Sequence, residues 1–129
     1  MKTITFNLSG EIPSKKNSKA LVPRKGGGFN IFPGKVYQKW HPQALKQIIA
    51  QKYNYVGNFP IEKCSYVKVY LYFGTRRESD CTNKAESIHD LLVDAGILLD
   101  DTWQITGPTT QIPEYKKNEG GAFIEIGVL

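Results

Sequence analysis

This 129-residue chain has little to offer zinc or thiol chemistry: two cysteines, Cys64 and Cys81, and two histidines, His41 and His89. No Cys/His spacing typical of a zinc site occurs. Two cysteines allow one bridge but no disulfide framework, and they read as reduced thiols of a cytoplasmic protein. Neither histidine sits in a recognisable nucleophile motif, which disfavours a thiol hydrolase. No apolar run approaches the roughly 18 residues that a membrane helix needs. The start, Met1-Lys2-Thr3-Ile4-Thr5-Phe6, alternates like a strand and lacks a signal-peptide apolar block, so neither a membrane span nor export by the standard signal is expected. Internal repeats, heptads and low-complexity tracts are absent as well.

What is present is enough for one core. Hydrophobic residues make up 40% of the chain and aromatics 12%, which excludes wholesale disorder. The length suits a single domain over residues 1–129. Thr3 to Leu8 alternates as a half-buried strand. Residues 10–28 lack periodicity, contain Pro13, Pro23 and Gly26-Gly27-Gly28, and read as a long basic loop. Phe29 to Phe32 suits a short strand. A helix is expected from His41-Pro42, with Pro42 near its first position and Leu45, Ile48 and Ile49 on its apolar stripe. Ser65 to Phe73 is a strand of central type, with Val67, Val69, Leu71 and Phe73 on one face and Tyr66, Lys68, Tyr70 and Tyr72 on the other. Thr82 to Ala95 is a helix stopped by Gly96. Trp103 onward reads as extended, broken at Gly107-Pro108, and Ala122 to Val128 is a last strand after the turn at residues 118–121. The order predicts an α+β fold: a small mixed β-sheet with two main helices packed on one side.

Charge is divided sharply. Up to Lys52 there are ten basic residues and a single acid, Glu11. From Glu78 to Asp101 the sign reverses, and Glu78, Asp80, Glu86, Asp90, Asp94, Asp100 and Asp101 face only Lys84. A basic arm suits a polyanion and a dense acidic segment suits a divalent cation; a metal-dependent nuclease needs both. Two solvated surfaces are the plainer reading of the same pattern. On a helical wheel, Ala85, Ile88, Leu91, Leu92 and Ala95 share one face, while Asn83, Glu86, Asp90 and Asp94 share the other. Glu86 and Asp90 repel each other at i,i+4, and Asp94 opposes the helix dipole. A cation held by these carboxylates would offset those costs. Oxygen ligands suit Mg²⁺ or Mn²⁺.

The segment resembles the RusA-like family of Holliday junction resolvases, small homodimeric endonucleases common in phages and prophages. The matching residues are Asp80-Cys81-Thr82-Asn83 opening a helix, Asp90 along it, and Ala95-Gly96-Ile97-Leu98-Leu99-Asp100-Asp101 after it. The strand Ile4 to Leu8 followed by Ile12-Pro13-Ser14-Lys15-Lys16-Asn17 matches the family's start. The resemblance implies a RusA-like single domain with an acidic metal segment over residues 78–101. It implies a Mg²⁺-dependent endodeoxyribonuclease that resolves four-way junctions in recombination and repair, working as a homodimer without a small-molecule cofactor. Asp80 and Asp101 are then catalytic carboxylates and metal ligands, with Asp90 and Asp100 as further ligands and Asn83 supporting the helix face; Glu86 is expected to join them as a third catalytic carboxylate and ligand by compensation, not by match to the family. Lys15, Lys16, Asn17, Lys19, Arg76 and Arg77 are the expected DNA contacts.

Two positions depart from that pattern. Thr82 stands where the family has a second metal-binding aspartate, and Glu86 stands where it has a lysine on the helix. Glu86 lies one turn from Thr82 and can supply the missing carboxylate. The alternative is a noncatalytic junction-binding protein with a degenerate metal site, or a metal nuclease acting on flaps or RNA. Tyr66, Tyr70 and Tyr72 suit core or dimer packing better than base stacking. His89, at the wheel boundary, reads as structural, and Trp40 and Trp103 read as packing anchors.

Overall fold

Strand alternation and one helical stripe build the core. The computed structural model describes residues 2–14, 19–23, 25–55, 57, 59–76 and 81–129, with residues 19–23 and 29–33 described by their backbone. In chain order the elements are β1 (Lys2–Ser9), β2 (Lys19–Pro23), β3 (Phe29–Pro33), α1 (Lys35–Lys52), β4 (Cys64–Phe73), α2 (Cys81–Asp94), α3 (Trp103–Thr106), β5 (Thr109–Tyr115) and β6 (Gly121–Val128). The main sheet runs β1-β6-β4-β5. Its β1–β6 and β6–β4 pairs are antiparallel and β4–β5 is parallel, so the sheet is mixed and β4 is interior.

The alternation in β4 sorts its residues as expected: Val67, Val69 and Leu71 are buried. They meet Ile4, Phe6 and Leu8 of β1 and Ala122, Ile124 and Ile126 of β6, with α1 and α2 laid over that one side. The other sheet face carries half-buried tyrosines. Tyr66 donates its hydroxyl to Glu125 at 2.8 Å, and Tyr70 lies 5.9 Å from the ring of Phe123. Lys116 Nζ sits 3.9 Å over Tyr72. Both cysteines are free thiols, and burial pushes Cys64 up to about 11. Among the described residues no helix is long and apolar enough to cross a membrane.

Three elements differ from the sequence expectation. Residues 10–28 are not one loop: Lys19–Pro23 pairs antiparallel with Phe29–Pro33 as a separate hairpin. Its stretch Lys-Ala-Leu-Val-Pro has no alternation to read, because backbone pairing defines it. The hairpin turn uses Gly26, Gly27 and Gly28, all at positive φ (93°, 111° and 74°), where side chains are disfavoured. Helix α1 begins at Lys35, so Pro42 lies inside it and not near its first position. Gly34 at φ −65° and ψ 168° is its N-cap, and the Gln38 N–H bonds Gly34 O at 3.0 Å. Pro42 cannot donate to the carbonyl four residues earlier, a cost that burial of Tyr37, Ala44 and Ile48 outweighs. Finally, Trp103–Thr106 is a helical turn and not extended chain. The N–H groups of Ile105 and Thr106 both reach Thr102 O at 2.9 Å.

Helix α1 also closes one sheet edge. Gln51 accepts from Asn7 N–H at 2.7 Å and donates to Asn7 O at 2.6 Å. Gln47 does the same for Ser9, at 2.9 Å and 3.4 Å. Beyond the helix, the Tyr55 hydroxyl accepts from Thr5 N–H at 2.9 Å and donates to Thr5 O at 2.7 Å. The match is geometric, since four helical residues rise about 6 Å and two strand residues about 6.6 Å. An edge strand is thereby satisfied by side chains.

Gln51→Glu tests this ladder. The substitution keeps the acceptor for Asn7 N–H but turns anionic oxygen toward the carbonyls of Asn7 and Gln47. The folded state then favours the protonated acid, so its stability is retained below the usual carboxyl value of about 4.3 and lost as pH rises. Urea unfolding should show a deficit of about 1–2 kcal/mol at pH 7 that shrinks toward pH 4.

Candidate functional site

Helix α2 presents its chemistry by burying its other face. Ala85, Ile88, Leu91 and Leu92 are at most 1% exposed. Ser87, also buried, donates to Pro13 O at 2.8 Å, tying the helix to the chain that follows β1. The helix ends in a Schellman turn: Gly96 sits at φ +72°, with Gly96 N–H on Val93 O at 3.0 Å and Ile97 N–H on Leu92 O at 2.9 Å. Ile97 and Leu98 are then buried, and Ile61 N–H bonds Ile97 O at 2.8 Å while Leu99 N–H bonds Ile61 O at 3.1 Å. This reversal returns Asp100 and Asp101 alongside the helix.

The result is a cleft of about 320 Å³ lined by Thr82, Glu86 and His89 of α2, Asp101 of the returning loop, and Trp103 and Gln111 among others. One of its features corrects the sequence reading: Trp103 is 76% exposed and walls the cleft, so it is not a packing anchor. His89 lines the cleft half-buried and makes no hydrogen bond or ion pair among the described residues. Partial burial pulls its imidazole below the ordinary value of 6.5, while Asp101, Asp90 and Glu86 push the other way. Gly107 closes the floor at φ +67°, and a Cβ there would meet Ser65 O at 2.9 Å.

The remaining carboxylates fall in an adjoining hollow of about 170 Å³ lined by Asp90, Val93, Asp94, Asp100 and Asp101. Asp101 lines both spaces. Helix α1 reaches this hollow: His41 Nε2 lies 2.8 Å from Asp94 Oδ2, which answers the unfavourable dipole position of that aspartate. Tyr37, its ring tilted by 37° and 5.6 Å from that of His41, is pushed up to about 12 by burial and then by the nearby charges of Asp90 and Asp94. Trp40 packs on the core, as expected of an anchor.

The cations are placed elsewhere. Lys84 turns away from the cleft, 3.8 Å from Glu11 Oε1 and 4.8 Å from the ring of Phe73. Glu86 and Asp101 have no basic partner among the described residues. Arg76 is exposed, 4.5 Å over Tyr115. Lys19 opens β2, and half-buried Asn83 accepts from Ser87 Oγ through its carbonyl at 3.4 Å. Asp80, Lys15, Lys16, Asn17 and Arg77 lie outside the described residues.

The cleft carries donor types that divalent cations accept, two carboxylates and an imidazole. Among the described residues, however, no three His, Cys, Asp or Glu side chains are placed to hold one ion. The cleft's electrostatics have a direct readout. In long-range ¹H–¹⁵N spectra His89 should titrate below 6.5, and Asp101→Asn should lower it further by removing an anion that favours the charged ring. A base whose folded value is depressed contributes stability above 6.5 and loses it as pH falls through the folded value.

No family model matches the sequence, and no curated protein sequence matches it.

Proposed function

We propose that the chain is a divalent-metal-dependent endonuclease acting on branched DNA, with four-way junctions as substrate and a two-fold homodimer in the cytoplasm as the working form. The observation that carries this reading is the return of Asp101 to the cleft that holds Thr82 and Glu86. The metal-site reading needs the aspartate after the turn to come back beside the helix, and the Schellman turn at Gly96 permits it.

Asp80, Glu86 and Asp101 would hold the ion, with Asp90 and Asp100 behind them. A bound Mg²⁺ or Mn²⁺ supplies charge stabilisation of the phosphodiester and an acidified water. The chain's own residues do the rest. Glu86 and Asp101 present anionic oxygen, and Trp103 walls the site. Lys15, Lys16, Lys19, Arg76 and Arg77 would provide cationic contacts, and Asn17 a neutral hydrogen-bonding one, that orient the phosphate backbone. Four-way junctions have approximate two-fold symmetry, so paired cuts need two related sites, which a C2 dimer supplies.

Thr82 favours a second reading, binding without cutting, because a hydroxyl lines the cleft where the family has a carboxylate. A nicking assay on synthetic four-way junctions, with and without Mg²⁺ or Mn²⁺, separates the two. Under the nuclease reading, cutting requires metal, and Asp101→Asn abolishes it while junction affinity stays near wild type or rises, because a charge that repels phosphate is gone. Glu86→Gln should be as severe if Glu86 replaces the carboxylate missing at Thr82. Tight junction binding with no cutting in either metal decides for the noncatalytic protein.

A further inference from the structure

The side of the main sheet away from α1 and α2 carries no helix among the described residues. Its middle row is apolar: Tyr70 of β4 stands between Phe123 of β6 and Ile112 of β5, and all three are half-buried. The next row sets Lys68 beside Glu125. These two charges do not pair with each other. Glu125 accepts the Tyr66 hydroxyl at 2.8 Å, and Lys68 lies 5.9 Å over the Tyr66 ring with no ion pair among the described residues. One row further on, Gly127 keeps the surface flat, since a Cβ there would run into the Tyr66 ring.

The edges of the sheet are poor places for a second chain to add a strand. At β1, the side chains of Gln47, Gln51 and Tyr55 already occupy backbone groups of Ser9, Asn7 and Thr5. At β5, Val67 N–H bonds Pro108 O at 3.0 Å and Lys116 N–H bonds Phe73 O at 2.9 Å. The backbone groups of even-numbered β5 residues therefore face β4, and those of odd-numbered residues face outward. Pro113 thus lies on the open edge, where it removes a donor from the row that a partner strand would use.

We propose that the open sheet face is where two copies of this chain meet, about a two-fold axis that lies in the interface and runs along the strands between β4 and β6. The proposal rests on the dimer of the preceding reading, and on neither metal binding nor cutting. Such an axis exchanges β4 with β6 and keeps strand direction, as in aligned sheet packing. Lys68 and Glu125 share a row, so Lys68 meets Glu125 of the partner subunit, and the reverse contact follows by symmetry. Tyr70 meets Phe123 of the partner subunit in the same way. The face is therefore complementary to itself in charge and in its aromatic row. Four strands about 4.8 Å apart, each about seven residues long at about 3.3 Å, span roughly 20 by 23 Å; with side-chain relief this is the lower end of specific interfaces, so the dimer should dissociate on dilution. Both clefts stay uncovered, because α2 lies on the other side of the sheet.

The experiment follows the untagged chain by sedimentation velocity over a range of concentration. The wild type should show a reversible monomer–dimer equilibrium. Lys68→Glu and Glu125→Lys should each weaken the dimer by about tenfold or more, because like charges then face each other across the axis. An equimolar mixture of the two variants should regain the dimer, since each reversed charge meets its opposite in the heterodimer. A second arm needs no variant to fold: ¹⁴N and ¹⁵N wild-type chains are mixed and treated with a carbodiimide, which links amines to carboxylates. A Lys68–Glu125 crosslinked peptide with one isotope in each half should appear. A wild type that is monomeric at every concentration, a dimer indifferent to both reversals, a mixture that does not recover, or a crosslink confined to single-isotope peptides each overturns the proposal. Dimers through this face in a protein that never cuts junctions leave the surface standing and remove the nuclease. Metal-dependent cutting by a dimer indifferent to both reversals does the opposite.

Discussion

The candidate site depends on the reversal of the chain after α2. Without it, Asp100 and Asp101 would continue away from the helix. The turn is held at three levels. Gly96 takes a left-handed conformation that most residues resist, two backbone bonds close on Leu92 and Val93 carbonyls, and Ile97 and Leu98 bury themselves against the strip at Ile61. The last of these supplies most of the driving force, since two aliphatic side chains that are at most 1% exposed are worth a few kcal/mol of burial. Position at the site is thus secured by the hydrophobic core, and the acidic residues themselves need contribute nothing to folding.

The sheet and α1 make that core rigid enough to carry a charged cleft. Helix α1 does more than cover apolar surface. Its glutamines complete the hydrogen bonding of β1, so that edge offers few unpaired groups to another chain. The same helix brings His41 against Asp94 and Tyr37 near the charges of Asp90 and Asp94, on the side of α2 where the hollow lies. A continuous acidic helix face on the wheel becomes two environments in space, one in contact with His41 of α1 and one without a basic partner among the described residues.

That division gives the electrostatics a direction. Lys84, the single basic residue of the acidic segment, is drawn off toward Glu11 and Phe73. Two carboxylates and one imidazole then share a cleft whose walls are Trp103 and the start of β5. Both carboxylates stay exposed to water, and only the imidazole is half-buried. The basic residues concentrated before Lys52 provide a chemically separate surface for a polyanion.

The strands β1, β4 and β6 and the helix α2 were legible because their apolar residues repeat at the period of the element, which is a property of neighbours along the chain. The buried stripe of α2 and the stop at Gly96 follow from the same local rules. The hairpin β2–β3 was not legible, since it is defined by pairing between segments and carries no readable period. The start of α1 was hidden by Pro42, whose usual place near a helix N-terminus was overruled by burial of Tyr37 one turn and more earlier. Sequence by itself determined which carboxylates lie on one helix face and that a turn follows them. Only the tertiary structure decided that His89 and Trp103 face the cleft, that Asp90 and Asp94 belong to α1's side, and that Asp101 is shared between the two. The physical reason is that helical spacing sets angles within one element, whereas the space between elements is set by which side chains fill the core beneath them.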